Sequence, residues 1–245
     1  MDAHAAQWIG RRPRQEDAYG VRHFPEGSLV VVCDGMGGHN LGAEAARTAV
    51  AAYVESFADS AAAPQPDSVT ERMMDALEAA NAAVGLLYEG TGAYGGTTLL
   101  AAYASHGVLR WVSVGDSCLY LWRRDSLRRL NEDHSMRAVY EKFVCPGGMT
   151  RQEALAGGHV LRSAVTGDEI PMVDAHEKPF PLLPGDRIIL STDGLETLTE
   201  QEVLPVSLRR ILSVRGGSLA AALVEACLTA ADEDADNVTV VTLDV

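Results

Sequence analysis

The stretch TTLLAAYASHGVLRWVSVGDSCLYLWR, residues 97–123, decides the fold class. It contains three apolar runs rich in β-branched and aromatic residues, at 97–103, 108–114 and 118–123, separated only by Ser105-His106-Gly107 and Gly115-Asp116-Ser117. Such runs bounded by Gly, Ser and Asp read as strands. A parallel neighbour would need a crossover of a dozen or more residues, so connections this short predict antiparallel hairpins. Further strand-like runs lie at 28–33, 187–191 and 238–243. The expectation is an α+β chain with sheets covered by helices, unlike the strict alternation of a doubly wound parallel sheet.

Two helical stretches lie between the early strands. Residues 43–57 are rich in alanine, and Ser68-Val69-Thr70-Glu71 reads as a capping box opening a helix that runs toward Leu87. Within the second helix Val69, Met73, Ala76, Ala80, Val84 and Leu87 recur at steps of three and four, which predicts one buried face. The intervening Ala61-Ala62-Ala63-Pro64-Gln65-Pro66 cannot continue a helix through two prolines and reads as the turn of a helical hairpin. Between His134 and Leu161 little strand signal remains, and the pairs Gly147-Gly148 and Gly157-Gly158 suggest a flap or insertion with hinge-like backbone freedom. No internal repeat or low-complexity linker interrupts the chain, so residues 1–245 are expected to form one domain.

Composition narrows the partners. Apolar residues make up 47% of the 245, the mark of an ordinary globular protein, and 34 acidic against 20 basic residues leave a net charge of -14. That charge repels nucleic-acid phosphates and anionic lipid surfaces, so neither partner is expected. The four cysteines form no CxxC pair and are too sparse for a disulfide scaffold, which points to reduced thiols in the cytoplasm. The N-terminus has no apolar core behind a basic start, and no stretch reaches the roughly 18 apolar residues of a membrane helix, so export and membrane spanning are not expected.

The chemistry concentrates where strands end. Val30-Val31-Val32-Cys33 runs into Asp34-Gly35, Ile188-Ile189-Leu190-Ser191-Thr192 runs into Asp193-Gly194, and Asp236-Asn237 opens the last strand. Asp116 sits in the turn after Val114, and Arg12-Pro13-Arg14-Gln15-Glu16-Asp17 adds two carboxylates beside basic groups. An Asp-Gly pair equally suits a turn with no chemical duty. Several strand-end carboxylates gathered at one sheet edge would repel one another and would require divalent cations or raised pKa values. Oxygen ligands without a His or Cys cluster point to Mg²⁺ or Mn²⁺ rather than zinc. Spacing alone leaves open whether these groups converge.

Taken together, these residues resemble the bacterial metal-dependent protein serine/threonine phosphatases of the protein phosphatase 2C family. The resemblance runs over nearly the whole chain in the family's motif order: R-x-x-x-E-D at 12–17, D-G-M-G-G-H at 34–39, Gly95-Gly96-Thr97-Thr98, Gly115-Asp116-Ser117, Asp133-His134-Ser135, residues 161–167, residues 191–195, and Asp236-Asn237-Val238-Thr239-Val240. It implies an α-β-β-α sandwich of two mainly antiparallel sheets flanked by helical hairpins, with a flap at 135–162. It also implies hydrolysis of phosphoserine and phosphothreonine by a water bridging two Mn²⁺ or Mg²⁺ ions, without a phospho-enzyme. Asp34 matches the carboxylate bridging both metals, Gly35 the neighbour whose carbonyl binds one, and Asp193 and Asp236 the remaining direct ligands. Glu16 and Asp17 match residues holding metal-bound waters, and Arg12 matches the clamp on the substrate phosphate, a task suited to a guanidinium fork. The implied substrates are phosphoproteins of a cognate Ser/Thr kinase in bacterial signalling; the oligomeric state stays open, with a monomer as the expectation.

Three positions depart from the family's pattern. Met36 stands where eukaryotic relatives carry a His proposed as general acid, and His39 is better read as ordering its glycine-rich loop than as a substitute. Cys118 stands where bacterial members carry Arg after Gly-Asp-Ser, and Thr197, preceded by Glu196, stands where they commonly carry Asp. The missing Asp and Asp116 are associated with a third, weaker metal, so that site is expected to be absent or loosened unless Glu196 supplies the carboxylate. Three rival readings remain: a Gly-Asp-Ser esterase with Ser117 as nucleophile, a nucleotide-binding module built on the glycine-rich turn, and a pseudophosphatase that binds phosphoproteins without turnover.

Overall fold

The computed structural model describes residues 2–37, 41–59, 68–145, 148–150, 153–154, 157–175, 178–199, 205–214, 217–231 and 233–245. Its strands are β1 (Asp2–Trp8), β2 (Asp17–Phe24), β3 (Gly27–Met36), β4 (Gly96–Thr97), β5 (Leu99–Ser105), β6 (Val108–Val114), β7 (Cys118–Arg123), β8 (Ser126–Arg129), β9 (Asp174–Ala175), β10 (Phe180–Pro181), β11 (Arg187–Ser191) and β12 (Val238–Asp244). The described helices are α1 (Leu41–Asp59), α2 (Val69–Tyr88), α3 (Arg137–Tyr140), α4 (Glu196–Thr199), α5 (Val206–Ser213) and α6 (Leu219–Ala230). One sheet runs β1-β12-β11-β7-β8 and the other β10-β6-β5-β3-β2, with β4 on β3 and β9 on β6.

The apolar run of β3 shows why the layers stack as they do. Successive side chains point to opposite faces of a strand. Leu29, Val31 and Cys33 face the helical layer, where they meet Tyr53 and Phe57 of α1 and Met73 of α2. Val30 and Val32 face the other sheet and meet Leu119, Ile188, Leu190, Val241 and Leu243. On the far side of that second sheet, Tyr120, Trp122, Ile189 and Val240 pack on Leu208 and Leu212 of α5 and on Leu223 of α6. Strands apolar on both faces are thus buried between a sheet and a helix pair. The result is the α-β-β-α sandwich, with antiparallel pairing between the named strands.

Two expectations need correction. Ser105-His106-Gly107 does close a hairpin between β5 and β6, with His106 and Gly107 both at positive φ. Gly115-Asp116-Ser117 does not, because β6 and β7 belong to different sheets. Turn length cannot say whether a chain doubles back or passes to the next layer; here it passes over, and Asp116 is left at the seam between the sheets. Ser68 has a helical backbone, φ -99° and ψ -2°, and its side chain makes no capping bond, so the predicted box does not form. The turn expected at Ala61–Pro66 lies outside the described residues, as do Pro146, Gly147 and His39. Strands β1 and β2 were not expected, and helices α5 and α6 form the second helical layer that the resemblance implies. The alternating Ala and polar residues of Asp2–Trp8 give a weak strand signal, rescued by the seven-residue pairing with β12. No helix among the described residues is long and apolar enough to cross a membrane.

Candidate active site

A cleft of about 1570 Å³ opens where the ends of the two sheets meet. Of the residues singled out from the sequence, Arg12, Glu16, Asp34, Gly35, Asp116, Asp193 and Asp236 line it. Asp17 lies just beneath, buried.

Sheet register brings these groups together. Asp17 and Asp34 are direct cross-strand partners on β2 and β3, a placement that sets like charges side by side and is unfavourable without compensation. Asp193 follows β11 and Asp236 precedes β12, which are neighbours in the other sheet, so both reach the same end. Gly35 lies where three segments cross. A Cβ there would run into the carbonyl of Gly42 at the start of α1 and, at 2.6 Å, into the carbonyl of Glu16, which already accepts the Gly35 amide at 3.2 Å.

The electrostatics record the crowding. Burial pushes the Asp17 carboxyl up to about 7, the nearby charges of Asp193 and Asp236 add to that push, and hydrogen bonds from Thr239 and Thr192 oppose it. Asp116 is pushed up to about 8 by burial, then by the charges of Asp193, Glu196 and Asp133. Asp193 is pushed up to about 6 by burial and by Glu196 and Asp236. Asp34 rises well above the ordinary carboxylate range, from burial first and then from all four neighbouring aspartates. At the rim burial raises Glu16 more modestly, against the charge of Arg14.

Hard-cation chemistry fits this donor set. All the ionisable donors are carboxylates, and Asp193 Oδ1 is buried with no hydrogen-bond partner in the protein. A buried acceptor left in that state is costly unless another ligand satisfies it. Among the described residues no three His, Cys, Asp or Glu side chains close into a ready-made cage. At the rim Arg12 Nη2 donates to Asp236 Oδ2 at 2.8 Å.

Several supporting residues escaped the sequence reading. Asn237 Oδ1 accepts the Glu16 amide at 2.7 Å while Nδ2 donates to the carbonyls of Ile9 and Arg14, so Asn237 holds the arginine-rich loop against β12. Thr98 Oγ1 accepts the Asp34 amide at 2.8 Å and is hydrogen-bonded to Ser117 at 2.7 Å. Asn81 on α2 accepts the amides of Thr166 and Gly167 and donates to the carbonyl of Asp168, fixing the loop that walls the cleft. Of these, Asn237 and Thr98 sat inside recognised motifs; Asn81 lay in an ordinary helical pattern with no local signal. The Thr98 bond also removes the esterase reading, because Ser117 is sealed from solvent and turned into the core.

A family model for protein phosphatase 2C matches residues 9–228. The chain belongs to the protein phosphatase 2C family. Its class is therefore that of the protein serine/threonine phosphatases. Among relatives, the serine/threonine phosphatase stp of Listeria monocytogenes is 29% identical over 208 residues, covering 82% of this chain and 81% of its own. The serine/threonine protein phosphatase PstP of Mycobacterium tuberculosis is 31% identical over 228 residues, 89% of this chain but 40% of the longer relative. The crystal structure of that PstP superposes with a TM-score of 0.78 at 26% identity, over 100% of this chain and 98% of the other. The PstP catalytic domain in complex with two manganese ions gives 0.78 at 27% identity, over 99% and 97%.

Proposed function

We propose that this 2C phosphatase hydrolyses phosphoserine and phosphothreonine in proteins with the help of two divalent cations held by Asp34, Asp193, Asp236 and the carbonyl of Gly35. The observation that carries the reading is the convergence of those carboxylates on one cleft, with an unsatisfied buried oxygen on Asp193. Mn²⁺ or Mg²⁺ bound there supplies charge that activates a water for in-line attack and offsets charge on the phosphoryl oxygens.

The protein's own groups do the rest. Asp34, fixed through its amide by Thr98, presents its carboxylate from the end of a rigid strand. Asp17, whose Oδ2 accepts from Thr192 and Thr239, and Glu16 orient solvent as an outer layer. Arg12, half exposed at the rim, exchanges its bond to Asp236 for the substrate phosphate, to which its planar fork donates bidentately. Met36 has no proton to give, and the leaving oxygen takes its proton from solvent in the open cleft. Glu196 has both oxygens committed to arginine partners, and Thr197 donates to the carbonyl of Gly194 at 3.3 Å. A third cation at Asp116 is accordingly weak or missing. We place the whole reaction in one catalytic domain over residues 1–245 with its flap at 135–162, working in the cytoplasm on targets of a partner Ser/Thr kinase.

The deciding experiment is release of phosphate from a phosphothreonine peptide. Release that requires Mn²⁺ and disappears with chelator or with Asp193→Asn is expected. Peptide binding without turnover in the wild type would replace this reading with that of a pseudophosphatase.

A further inference from the structure

At the edge of the cleft, five ionisable side chains from four segments form one largely buried network: Cys118 on β7, Arg129 and Asp133 around the end of β8, Arg137 on α3, and Glu196 on α4. Glu196 Oε1 accepts from Arg129 Nη1 at 3.2 Å and from the Cys118 thiol at 3.2 Å. Glu196 Oε2 is ion-paired with Arg137 Nη2. Asp133 Oδ2 lies 3.6 Å from Arg129 Nη1 and 3.7 Å from Arg137 Nε. Arg129 Nη2 also donates to the backbone carbonyl of Asp116 at 2.7 Å. Two guanidiniums thus face two carboxylates.

The two ends of this network lie on parts of the molecule with different tasks. Arg137 starts the flap, and the flap's neck is an antiparallel pairing of its two ends: Met136 N donates to the carbonyl of Val160 at 2.9 Å, Arg137 N to that of Gly158 at 3.2 Å, and Arg162 N to that of His134 at 2.8 Å. The returning strand of the neck, from His159 to Arg162, is a wall of the cleft. Glu196 directly follows the turn Asp193–Leu195 that bears one of the converging carboxylates. Through its pairing with Arg137, Glu196 therefore links the neck that carries this wall to the turn that bears Asp193.

Burying such a network stabilises a protein no better than packing apolar groups of the same volume. Its geometry is what it contributes, since bonds to a guanidinium fork fix both distance and plane. We propose that Arg137, acting through Glu196, is a positioning residue that couples the flap neck to the Asp193 turn, so that substrate entry and cation binding are set together. In its functional part this rests on the phosphatase reading; in its structural part it does not.

The test compares full-length wild type with Arg137→Met, Arg137→Lys and Glu196→Gln. Three readouts are used: hydrogen exchange across 134–162 and 193–199, calorimetric titration with Mn²⁺, and the KM for a phosphothreonine peptide. Arg137→Met is expected to speed exchange in both segments, to weaken Mn²⁺ binding by about tenfold, a usual effect of losing an outer-layer partner, and to raise KM. Arg137→Lys, which keeps the charge but not the planar fork, recovers only a small part of each loss, and the Arg137→Met/Glu196→Gln double variant is no worse than the poorer single one. Exchange that changes only at 134–162, with Mn²⁺ affinity and KM unmoved, overturns the coupling. Should Arg137→Met not fold, Arg137→Lys and Glu196→Gln carry the same comparison. A wild type that binds Mn²⁺ but releases no phosphate removes the phosphatase reading, while exchange and titration still decide the coupling.

Discussion

Thr239, on β12 of one sheet, donates its hydroxyl to Asp17 Oδ2, on β2 of the other sheet, at 2.7 Å. Thr192 donates to the same oxygen at 3.0 Å. The two threonines stitch the sheets together at the base of the cleft and hold down the pKa of a carboxylate that burial pushes up. Thr239→Val removes a hydrogen bond to a charged group, a loss of about 1.5–3 kcal/mol. Denaturant unfolding in the presence of Mn²⁺ should show that loss, and calorimetry should show Mn²⁺ binding weakened by about tenfold. Unchanged Mn²⁺ affinity would leave Thr239 a purely structural tie.

Metal removal should make stability depend on pH with an unusual sign. In the folded protein Asp17, Asp116 and Asp193 are raised to about 7, 8 and 6, above their unfolded value of 3.8. The unfolded chain therefore gives up these protons first, and stability present below about pH 4 is lost progressively as pH rises through 6 to 8. Each unit of such a shift corresponds to about 1.4 kcal/mol, and for a chain of this length 1 kcal/mol moves Tm by about 2–4 °C. Chelated protein should thus lose several degrees of Tm between pH 5 and 8. Mn²⁺ should raise Tm more at pH 8 than at pH 5, because bound protons compete with the cation. A chelated Tm that rises steadily over that range would refute the crowded-carboxylate account.

Arg12 should separate binding from stability. Its ion pair with Asp236 is about half exposed on both sides, and pairs of that kind contribute only about 0–1 kcal/mol. Arg12→Ala should leave Tm within about 4 °C of wild type while kcat/KM for a phosphopeptide falls on the order of 100-fold, as when an oxyanion donor is removed. Arg12→Lys should recover little, since a point charge does not reproduce the planar fork.

The cation count is the next check. Calorimetric titration should find two tight Mn²⁺ sites. Thr197→Asp, which puts a carboxylate where the family commonly carries one, should add a third and weaker event. Three tight ions in the wild type that persist in Glu196→Ala would refute both a weak or missing third site and one completed by Glu196.

Gly167 offers a purely steric test. Its φ is +94°, and a Cβ would run into the backbone of Gly85 on α2. Gly167→Ala must adopt a left-handed backbone, at a cost of about 1–2 kcal/mol, and must also push the cleft loop off α2. A drop in Tm together with a raised KM is expected from thermal melts and steady-state kinetics.

Much of this protein was legible from its residues alone. Strands 108–114, 118–123 and 187–191 appear at the boundaries their apolar runs suggest, because a strand buried on both faces leaves a continuous apolar signature. The motif carboxylates were legible too, since each stands where a strand ends. Strands β1 and β2 were not, because their side chains are half exposed and their stability comes from partners far along the chain.

What only the tertiary structure decided is how the pieces face one another. Residue spacing could not say that Gly115-Asp116-Ser117 passes between sheets, nor that Asp17 lies opposite Asp34. Nor could it show Glu196, spare in the sequence, gripped by two arginines from 59 and 67 positions away. Local composition sets which segments become strands and helices, since burial and backbone geometry act over a few residues. Cross-strand register and ion pairing depend on separations of tens to hundreds of residues, and those are settled only when the layers close.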